Sequence, residues 1–356
     1  MTAPRTRADS AASLAATGIR ELLAEARQGF REAAHVMSFP VEQGFSNPAD
    51  QHTGDVFQRA LLLDVLCQAR PHFAIPQELI DRESAYLLDR RRRTGIGGWA
   101  YFPELPELPP DADDLAQVML AFLRAGRRDL VERWCEEPLA ALLADASSGD
   151  GVFETWIIPR TRNAEQQLQL GWAQMAWGTG ADSEVMANLL YALHCYDAAR
   201  FGLRIRAGAS YLLSRQDAEG WWRSTWYHGP YYGTWACLRI LDLFETAAPA
   251  AARARAFLRA AQQADGGWGR PGHSDPLNTA LALLALDRAA PDAACRKRGF
   301  EFLSACYEPG CAWPPPDFIR MDLGRPTGRP WNTLTYGSRT ITTAFVTKAA
   351  LERAES

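Results

Sequence analysis

The sequence lacks a basic surplus and a long apolar run, and each absence excludes a class of protein. Lys and Arg number 38 against 42 Asp and Glu, a net charge of −4, which argues against a general nucleic-acid binder. No apolar stretch reaches the roughly 18 residues that cross a bilayer, and the N-terminus lacks the apolar segment of a secretory signal. We therefore expect a cytoplasmic protein without a transmembrane segment. Peripheral contact with a membrane and assembly into a homodimer stay open.

Paired cysteine motifs are also missing. The 7 cysteines are an odd number and include no CxxC pair. This pattern fits neither a disulfide framework nor a thiolate zinc site. We expect most of them to be small core side chains, and we predict no metal site.

The chain does have helical spacing of apolar residues over most of its length, and two kinds of helix alternate. Segments that are apolar nearly all round predict buried helices, and segments with a charged face predict outer ones. The apolar segments are 54–67, 113–125, 184–195, 232–244, 277–287 and 338–350. The charged segments are 17–35, 78–92, 128–145, 198–214, 250–263 and 293–305. The alternation predicts an all-α fold, an (α/α)6 barrel over 17–350, with flexible ends at 1–16 and 351–356.

Tryptophan is abundant, with 12 in 356 residues, and several of these residues lie in repeated turns. Residues 216–222 and 262–268 share the pattern Q-x3-G-x-W, and looser versions occupy 96–102, 149–153 and 310–313. Each turn lies between a charged segment and the next apolar one. Gly permits the tight turn, and the Gln and Trp side chains can cover and bind the end of a helix. We interpret the turn tryptophans as braces of the barrel: Trp99, Trp222, Trp268 and Trp313.

Three carboxyl groups, on Asp111, Asp113 and Asp114, open the apolar segment 113–125. One Asp is enough to cap a helix. Three at the start of a buried segment cannot all ionise easily, because repulsion and desolvation favour the protonated form. A neutral carboxyl group in an apolar cavity is a Brønsted acid. Ligation of Mg²⁺ is the competing interpretation of such a cluster.

The segment GGWAYF…PPDADDLAQVM (97–119) resembles the DxDD segment of class II terpene cyclases, the group of squalene–hopene cyclases and bacterial class II diterpene cyclases. The Q-x3-G-x-W turns resemble the QW motifs of that family, and the resemblance extends over about 54–350. It implies that Asp113 protonates the terminal alkene of a linear isoprenoid, while Asp111 and Asp114 keep it protonated and hydrogen-bonded. It implies no cofactor for the chemical step, and Mg²⁺ only as the companion of a diphosphate substrate.

The resemblance also implies partners for the acid. In DSEVMAN (182–188), Asn188 matches the position where a family His or Asn touches the catalytic Asp, and Glu184 lies one helical turn before it on the same face. Aromatic rings stabilise cationic intermediates, and Tyr232 could also hold a water near the acid. The expected substrate-binding residues are Tyr101, Trp156, Glu184, Trp226, Tyr232, Phe318, Trp331 and Tyr336.

Two departures from the family pattern matter. Family members usually pair this barrel with a second one, so we expect loops 154–181 and 312–337, the N-terminal helix or a second subunit to close the cavity and exclude water. The acidic diphosphate-binding motif that some relatives carry on the other barrel has no counterpart here. A diphosphate would need cations, and the candidates are Arg160, Arg162, Arg223, Arg270 and Arg339.

The expected substrate is a C15 or C20 prenyl diphosphate, cyclised with the diphosphate retained. A prenylated aromatic compound, as in meroterpenoids, is the first alternative. A second alternative is an enzyme like the protein prenyltransferase β-subunit, which would need zinc. A third is a non-catalytic (α/α)6 binding module, in which the substitution Asp113→Asn would change nothing measurable.

Overall fold

The computed structural model describes residues 10–39, 51–145, 152–286 and 292–354. Inner helices are α2 (Val56–Ala69), α4 (Ala112–Arg124), the first half of α8 (Ser183–Ser214), α9 (Tyr231–Leu241), α11 (Pro276–Ala285) and α13 (Arg339–Ala354). Outer helices are α1 (Ser10–Arg27), α3 (Gln77–Asp89), α5 (Arg128–Trp134), α6 (Glu136–Asp145), the second half of α8, α10 (Ala248–Ala261) and α12 (Ala293–Ala305). Helix α7 (Ala164–Trp172) lies in the loop before α8 and continues into a π-helical turn.

The inner helices form a closed ring. Helix α2 contacts α4, and the contacts continue through α8, α9, α11 and α13 back to α2. Outer helices pack on this ring, α3 on α2, α5 on α4, α10 on α9, α12 on α11 and α1 on α13. Helix α8 supplies both layers because Asp197, at φ −157° and ψ 85°, interrupts it. The predicted (α/α)6 barrel is confirmed.

Burial follows the two sequence patterns. Every residue of α2 is buried, as expected of a helix that is apolar nearly all round. Outer helix α3 buries one face through residues such as Leu79, Ile80 and Leu87. The apolar inner helices therefore build the core, and most charged residues of the outer helices face solvent, with Glu83 and Arg296 buried as exceptions.

The helix ends differ from the prediction. Helix α1 begins at Ser10 and α13 ends at Ala354, so 10–16 and 351–354 are helical where we predicted flexible ends; 1–9 and 355–356 lie outside the described residues. Leu14 and Leu351 are buried, and this packing explains the extra turns. Helix α1 ends at Arg27 and not at the predicted residue 35, because the following Gly29 and Phe30 adopt positive φ.

The turn tryptophans brace the outer helices. The indole nitrogens donate to carbonyls in the last turn of the preceding outer helix, with Trp99 bonded to Leu87 at 2.6 Å and Trp222 to Leu212 at 2.7 Å. Trp268 and Trp313 do the same with Leu258 and Leu303, at 2.7 and 2.8 Å. Each bond satisfies a carbonyl that has no partner inside its helix. Gln216 and Gln262 add side-chain bonds to the turn and to the next outer helix. Residues 149–151 of the looser turn 149–153 lie outside the described residues.

Within the described residues, short strands that we did not predict form three pairs. Strand β1 (His35–Met37) pairs with β2 (His52–Gly54), β3 (Trp268–Arg270) with β4 (His273–Asp275), and β5 (Ile319–Leu323) with β6 (Asn332–Tyr336), all antiparallel.

The β5–β6 hairpin lies over the end of the barrel where the inner helices begin. The backbone nitrogen of its Arg320 donates to the Trp226 carbonyl at 2.9 Å. The backbone nitrogen of Gly324, which follows β5, donates to the Ala176 carbonyl at 2.9 Å. The Tyr336 hydroxyl donates to the Ala33 carbonyl at 2.5 Å. Loops 154–181 and 312–337 therefore meet over this end of the barrel, together with the segment that follows α1.

Candidate active site

Asp111 caps helix α4. Its Oδ1 accepts hydrogen bonds from the backbone nitrogens of Asp113, at 3.0 Å, and Asp114, at 2.8 Å. Asp at this position is favoured because its carboxylate satisfies two helix N–H groups that have no partner inside the helix. The capping function needs Asp111 alone, so Asp113 and Asp114 are free of it, and all three side chains are buried.

Asp113 is held by two neutral side chains from other elements. Its Oδ1 accepts from Nδ2 of Asn188 on α8 at 2.6 Å, and its Oδ2 accepts from the hydroxyl of Tyr227, in the loop before α9, at 2.5 Å. The structure thus brings Asn188 to the acid, as the resemblance implied. Tyr227 is a partner that the sequence analysis did not identify.

The carboxyl groups of this cluster bind protons more tightly than usual. Burial raises the pKa of Asp113 to about 6, against the opposing hydrogen bonds from Tyr227 and Asn188. Burial raises the pKa of Asp111 to about 7, and burial with repulsion from Asp111 and Asp113 raises the pKa of Asp114 well above its usual value. Asp113 therefore keeps its proton to a higher pH than an ordinary carboxyl group, as a general acid requires.

Asn188 is fully buried and uses both ends of its amide. Besides Asp113, Nδ2 donates to the Tyr232 hydroxyl at 2.9 Å, and Oδ1 accepts from the Arg239 guanidinium at 2.7 Å. A buried amide that is bonded at both ends is satisfied and fixed in orientation. Arg239 is the second residue that the sequence analysis missed.

Aromatic rings surround the acid. Tyr227 stacks on Tyr232 with ring centroids 3.8 Å apart and planes at 25°. The Phe318 ring lies 5.0 Å from Tyr227 and 5.4 Å from Tyr232, and Phe57 lies 5.8 Å from Tyr227. Faces of aromatic rings attract cations. This aromatic cluster, made of Tyr227, Tyr232, Phe318 and Phe57, could therefore stabilise positive charge beside Asp113.

Trp156 and Trp226 form a second aromatic pair, with centroids 5.4 Å apart in an edge-to-face arrangement. Trp156 lies opposite Asp111, because the backbones of these two residues pair in an isolated antiparallel β-bridge. The backbone nitrogen of the neighbouring Ala112 donates to the Thr155 carbonyl at 2.8 Å. The indole nitrogen of Trp226 donates to Asp182 at 2.8 Å. Both rings are buried close to the acidic cluster.

Glu184 holds the loop that carries Trp226 and Tyr227. Its Oε1 accepts from the backbone nitrogens of Thr225 and Trp226, at 2.6 and 2.9 Å. Burial and repulsion from Asp182 raise the pKa of Glu184 to about 8. The contacts of this carboxyl group position a loop, where the resemblance implied contact with the substrate.

Tyr101 and Tyr336 lie on either side of His35. The Tyr101 hydroxyl accepts from Gln58 at 2.8 Å and lies 3.1 Å from Nδ1 of His35, and Tyr336 stacks on the His35 ring with centroids 5.0 Å apart. Burial lowers the pKa of His35 to about 4, so its ring is neutral near pH 7. These residues pack the segment after α1 against the barrel.

The placement predicted for Trp331 is wrong. Its side chain is 46% exposed, so it does not line an interior cavity. Trp331 immediately precedes strand β6, and its ring packs over Gly324 at the end of the hairpin farthest from Phe318 and Tyr336. Of the three C-terminal aromatics that we predicted, only Phe318 and Tyr336 are buried.

The five candidate arginines are exposed and do not converge. Arg160 and Arg162 line a depression of about 360 Å³ beside Trp156. Arg223 and Arg270 line a cavity of about 1260 Å³ that Tyr227 also lines. Arg339 lies 3.9 Å from Glu32. A single diphosphate could not contact all five arginines. Arg160 with Arg162, and Arg223 with Arg270, are therefore two alternative candidate groups for binding it.

Two further findings concern metals and membranes. Within the part of the chain that the structure describes, no group of three or more His, Cys, Asp or Glu side chains could hold a metal ion. Among the described helices, none is both long enough and apolar enough to span a bilayer.

Two of the residues that the sequence analysis missed, Tyr227 and Arg239, did have signals in the sequence. Tyr227 follows Trp226 in WWRSTWYHGPYYGTW (221–235), the segment with the densest aromatic composition. Arg239 is the cation inside the apolar segment 232–244, whose other charged residue is Asp242. A charge on an otherwise apolar inner helix needs a partner, so an Arg at this position indicates a polar group facing it inside the barrel.

The family described as Squalene-hopene cyclase C-terminal domain matches residues 77–325. The chain is 29% identical over 239 residues to terpentedienyl-diphosphate synthase of Kitasatospora griseola, covering 65% of this chain and 40% of that protein. It is 28% identical over 248 residues to squalene–hopene cyclase of Zymomonas mobilis, covering 59% of this chain and 34% of that protein. The chain thus spans less than half the length of these curated relatives.

Two solved structures are similar over most of the chain. A variant of the type II terpene cyclase MstE from Scytonema, in complex with geranylgeranyl dihydroxybenzoate, has a TM-score of 0.72 at 18% identity and covers 98% of both chains. The ent-copalyl diphosphate synthase from Streptomyces platensis has a TM-score of 0.59 at 25% identity and covers 89% of this chain and 54% of that one. At 18% identity, the first likeness shows a shared fold.

Proposed function

Because the chain belongs to the squalene-hopene cyclase C-terminal domain family, we propose that it is a class II terpene cyclase that protonates a carbon–carbon double bond of a linear isoprenoid. One observation carries the proposal. Asp113 is a buried carboxyl group with neutral hydrogen-bond donors on both oxygens, next to a stack of aromatic rings.

Protonation would begin at Asp113. The π electrons of the alkene take the acid proton, a C–H bond forms, and the O–H bond breaks to leave a carboxylate and a tertiary carbocation. Burial favours the protonated acid before reaction. The donors Asn188 and Tyr227 then stabilise the carboxylate that forms, so the proton can be both held and released.

Ring closure would follow without further help from an acid. The next double bond attacks the carbocation, each attack forms a carbon–carbon bond and moves the charge along the chain, and loss of a proton or capture of water ends the cascade. The aromatic cluster and the pair Trp156–Trp226 offer π-faces to these cations. The β5–β6 hairpin and loop 154–181 would keep water out.

The first candidate substrate is a C15 or C20 prenyl diphosphate, because the chain shares 29% identity with a relative named as a diphosphate synthase. Mg²⁺ would accompany only such a substrate. The described residues contain no cluster of three metal ligands, so we assign no step to the ion. A cytoplasmic location stays a prediction from the sequence, which left assembly into a homodimer open.

A prenylated aromatic compound is the second candidate, and the wall of the 1260 Å³ cavity favours it. That wall contains Trp221, Tyr231 and Phe257, while Arg270 is paired with Asp317 at 3.2 Å. Aromatic rings and balanced charges suit a planar organic head group better than a diphosphate.

The test compares wild type with Asp113→Asn, which keeps the size of the side chain but removes the acid. Both proteins are incubated in D₂O with farnesyl diphosphate, geranylgeranyl diphosphate and a geranylgeranylated hydroxybenzoate, and products are identified by mass spectrometry. We expect wild type to form a cyclic isomer or hydrate in which the initiating step places one deuterium on carbon. Asp113→Asn should lower its rate by about 10²- to 10⁴-fold.

Three results would contradict the proposal. Equal product from Asp113→Asn would remove the acid from the mechanism. Stoichiometric zinc in the purified protein would favour a prenyltransferase. Absence of product from all three substrates would favour a binding module.

A further inference from the structure

We propose that Arg239 is a positioning residue for the acid: it fixes the Asn188 amide so that its nitrogen, and not its oxygen, faces Asp113. This inference rests on the proposed function of Asp113 and adds a residue to it. The Arg239 guanidinium donates to Oδ1 of Asn188 at 2.7 Å, and the other end of the same amide donates to Asp113 at 2.6 Å.

The amide of Asn188 has two orientations of nearly equal shape. The nitrogen end donates two hydrogen bonds and the oxygen end accepts them. In the reversed orientation, the amide oxygen would face Oδ1 of Asp113, placing two acceptors together where a carboxylate must form. The same reversal would turn the amide N–H groups toward Arg239, which has donors and no acceptor. Arg239 therefore excludes the orientation that would oppose proton release.

Arg239 is itself held in place by stacking. Its guanidinium carbon lies 4.2 Å from the centroid of the Tyr191 ring on α8 and 4.6 Å from that of Trp235 on α9. A guanidinium stays charged at every accessible pH and stacks well on aromatic faces. Helices α8 and α9 thus clamp the cation in a fixed direction, toward the interior of the barrel.

The surroundings of Arg239 distinguish it from its charged neighbours. It lines a cavity of about 330 Å³ at the end of the barrel opposite the acid cluster. The other charged groups there are Asp64, Arg124, Asp242, Arg255, Lys348 and Glu352. Arg124 pairs with Asp64, and Arg255 pairs with Asp242 at 2.7 Å. Arg239 instead directs a donor toward Asn188, so its charge acts on the acid through one side chain.

Arg239 also acts on Asp113 electrostatically, together with other titratable groups. The positive charge of Arg239 lowers the pKa of Asp113, and the negative charge of Asp182 raises it. The remaining groups next to the acid are Asp111, Asp114, Tyr227 and Tyr232. Because only protonated Asp113 is active, the rate should fall as pH rises through the pKa of about 6. Loss of the cation should move this fall to higher pH.

The experiment compares Arg239→Met, Arg239→Lys and Arg255→Met with wild type. Arg239→Met removes the donor and the charge, whereas Arg239→Lys keeps a charge and donors. Arg255→Met is the matched control, since it removes a neighbouring cation of the same cavity that binds Asp242. Circular dichroism and thermal unfolding confirm that each variant is folded.

We expect Arg239→Met to lower kcat by about 10- to 100-fold, part of the roughly 10²- to 10⁴-fold that a positioned acid contributes. Its KM should stay the same, and the fall of kcat should move to higher pH. Arg239→Lys should restore much of the rate and the wild-type pH profile, and Arg255→Met should behave as wild type. Equal kcat and pH profile for Arg239→Met and wild type would overturn the proposal. A loss in Arg255→Met as large as that in Arg239→Met would also overturn it.

A second measurement tests Arg239 without catalysis. Infrared difference titration against Asp113→Asn follows the carboxyl C=O band of Asp113 in each variant. Arg239→Met should move the loss of this band to higher pH, and Arg239→Lys should not. If no variant forms product but the band moves as expected, the proposed function fails and the coupling through Asn188 stands. If the band does not move, the positioning of Asp113 by Arg239 is wrong.

Discussion

The two ends of the barrel each bury a carboxyl group on an inner helix, with opposite chemical results. Asp113, at the beginning of α4, is bonded to Asn188 and Tyr227, and burial raises its pKa to about 6. Asp64, on α2, is also buried, but attraction to Lys348 and Arg124 outweighs burial and holds its pKa at about 2. Burial alone does not raise the pKa of a carboxyl group, because the charge of its hydrogen-bond partners decides whether the group keeps its proton.

This contrast separates an end of the barrel that an ion pair stabilises from the end that holds the proposed acid. At the far end, Asp64 bonds Lys348 at 2.5 Å, which links α2 to α13 and helps to close the ring. At the near end, the partners of Asp113 are neutral, so the proton stays available. Arg239 is the one cation described above that connects the two ends, through Asn188.

Lys348→Met should remove the ion pair at the far end of the barrel and cause the largest loss of stability. Asp64 would keep only Arg124, which is partly exposed, and its pKa should rise. We expect the free energy of unfolding to fall by about 3 kcal/mol, because removing one partner of a buried ion pair typically costs about 3–5 kcal/mol. Urea unfolding at neutral pH measures it. The double variant Asp64→Asn/Lys348→Met should lose less, and equal losses would contradict an electrostatic cause.

Asp111→Asn should sharpen the contrast through the pH dependence of stability. The folded pKa of Asp111, about 7, exceeds the ordinary 3.8, so its stabilising contribution is complete below the ordinary value and is lost as pH rises through about 7. An amide still caps α4 but cannot ionise. At about pH 8 the variant should exceed wild type by about 1–3 kcal/mol, since one pKa unit corresponds to about 1.4 kcal/mol.

Asp64 serves as the control for Asp111→Asn, because folding shifts its pKa in the opposite direction. Its folded pKa of about 2 lies below the ordinary 3.8, so its contribution is present above the ordinary value and is lost as pH falls through about 2. Urea unfolding between about pH 5 and pH 8, where the contribution of Asp64 stays constant, isolates the effect of Asp111. Parallel curves for wild type and Asp111→Asn would show that Asp111 does not ionise in this range.

Trp331→Ala should have the smallest effect. This side chain is 46% exposed, and exposed substitutions usually change stability by about 0.5 kcal/mol or less. Trp226→Ala is the matched control, because Trp226 is buried beside Trp156 and should change the product distribution. Thermal unfolding and product analysis measure both. A changed product from Trp331→Ala would contradict the placement of this side chain outside the cavity.

The helices were predictable because their signal is local and periodic. Residues 184–195 and 198–214 were distinguished by their pattern alone, although one nearly continuous helix, α8, contains both. Asp111 as a cap was likewise a local inference. The strand pairs were not predictable, since strands such as β1 and β3 contain only 3 residues.

Contacts between distant segments could not be read from local patterns. Tyr227 and Asp113 are separated by 114 positions, and Asn188 and Arg239 by 51. The position of Asn188 came from the family resemblance, while Tyr227 and Arg239 required the packed barrel. Trp331 was misplaced because the fold of the hairpin, and not its aromatic composition, decides which rings turn inward.

Closure of the ring by α13 has a consequence for how the chain folds. Asp64 and Lys348 are 284 positions apart, yet α2 and α13 are neighbours in the ring. During synthesis, α2 and α1 therefore lack their neighbour until α13 leaves the ribosome. Non-local contacts of this kind slow folding and leave apolar surface open to aggregation. A nascent chain that stalls before 339 would present an open bowl, and chaperones would be expected to hold it until the circle closes.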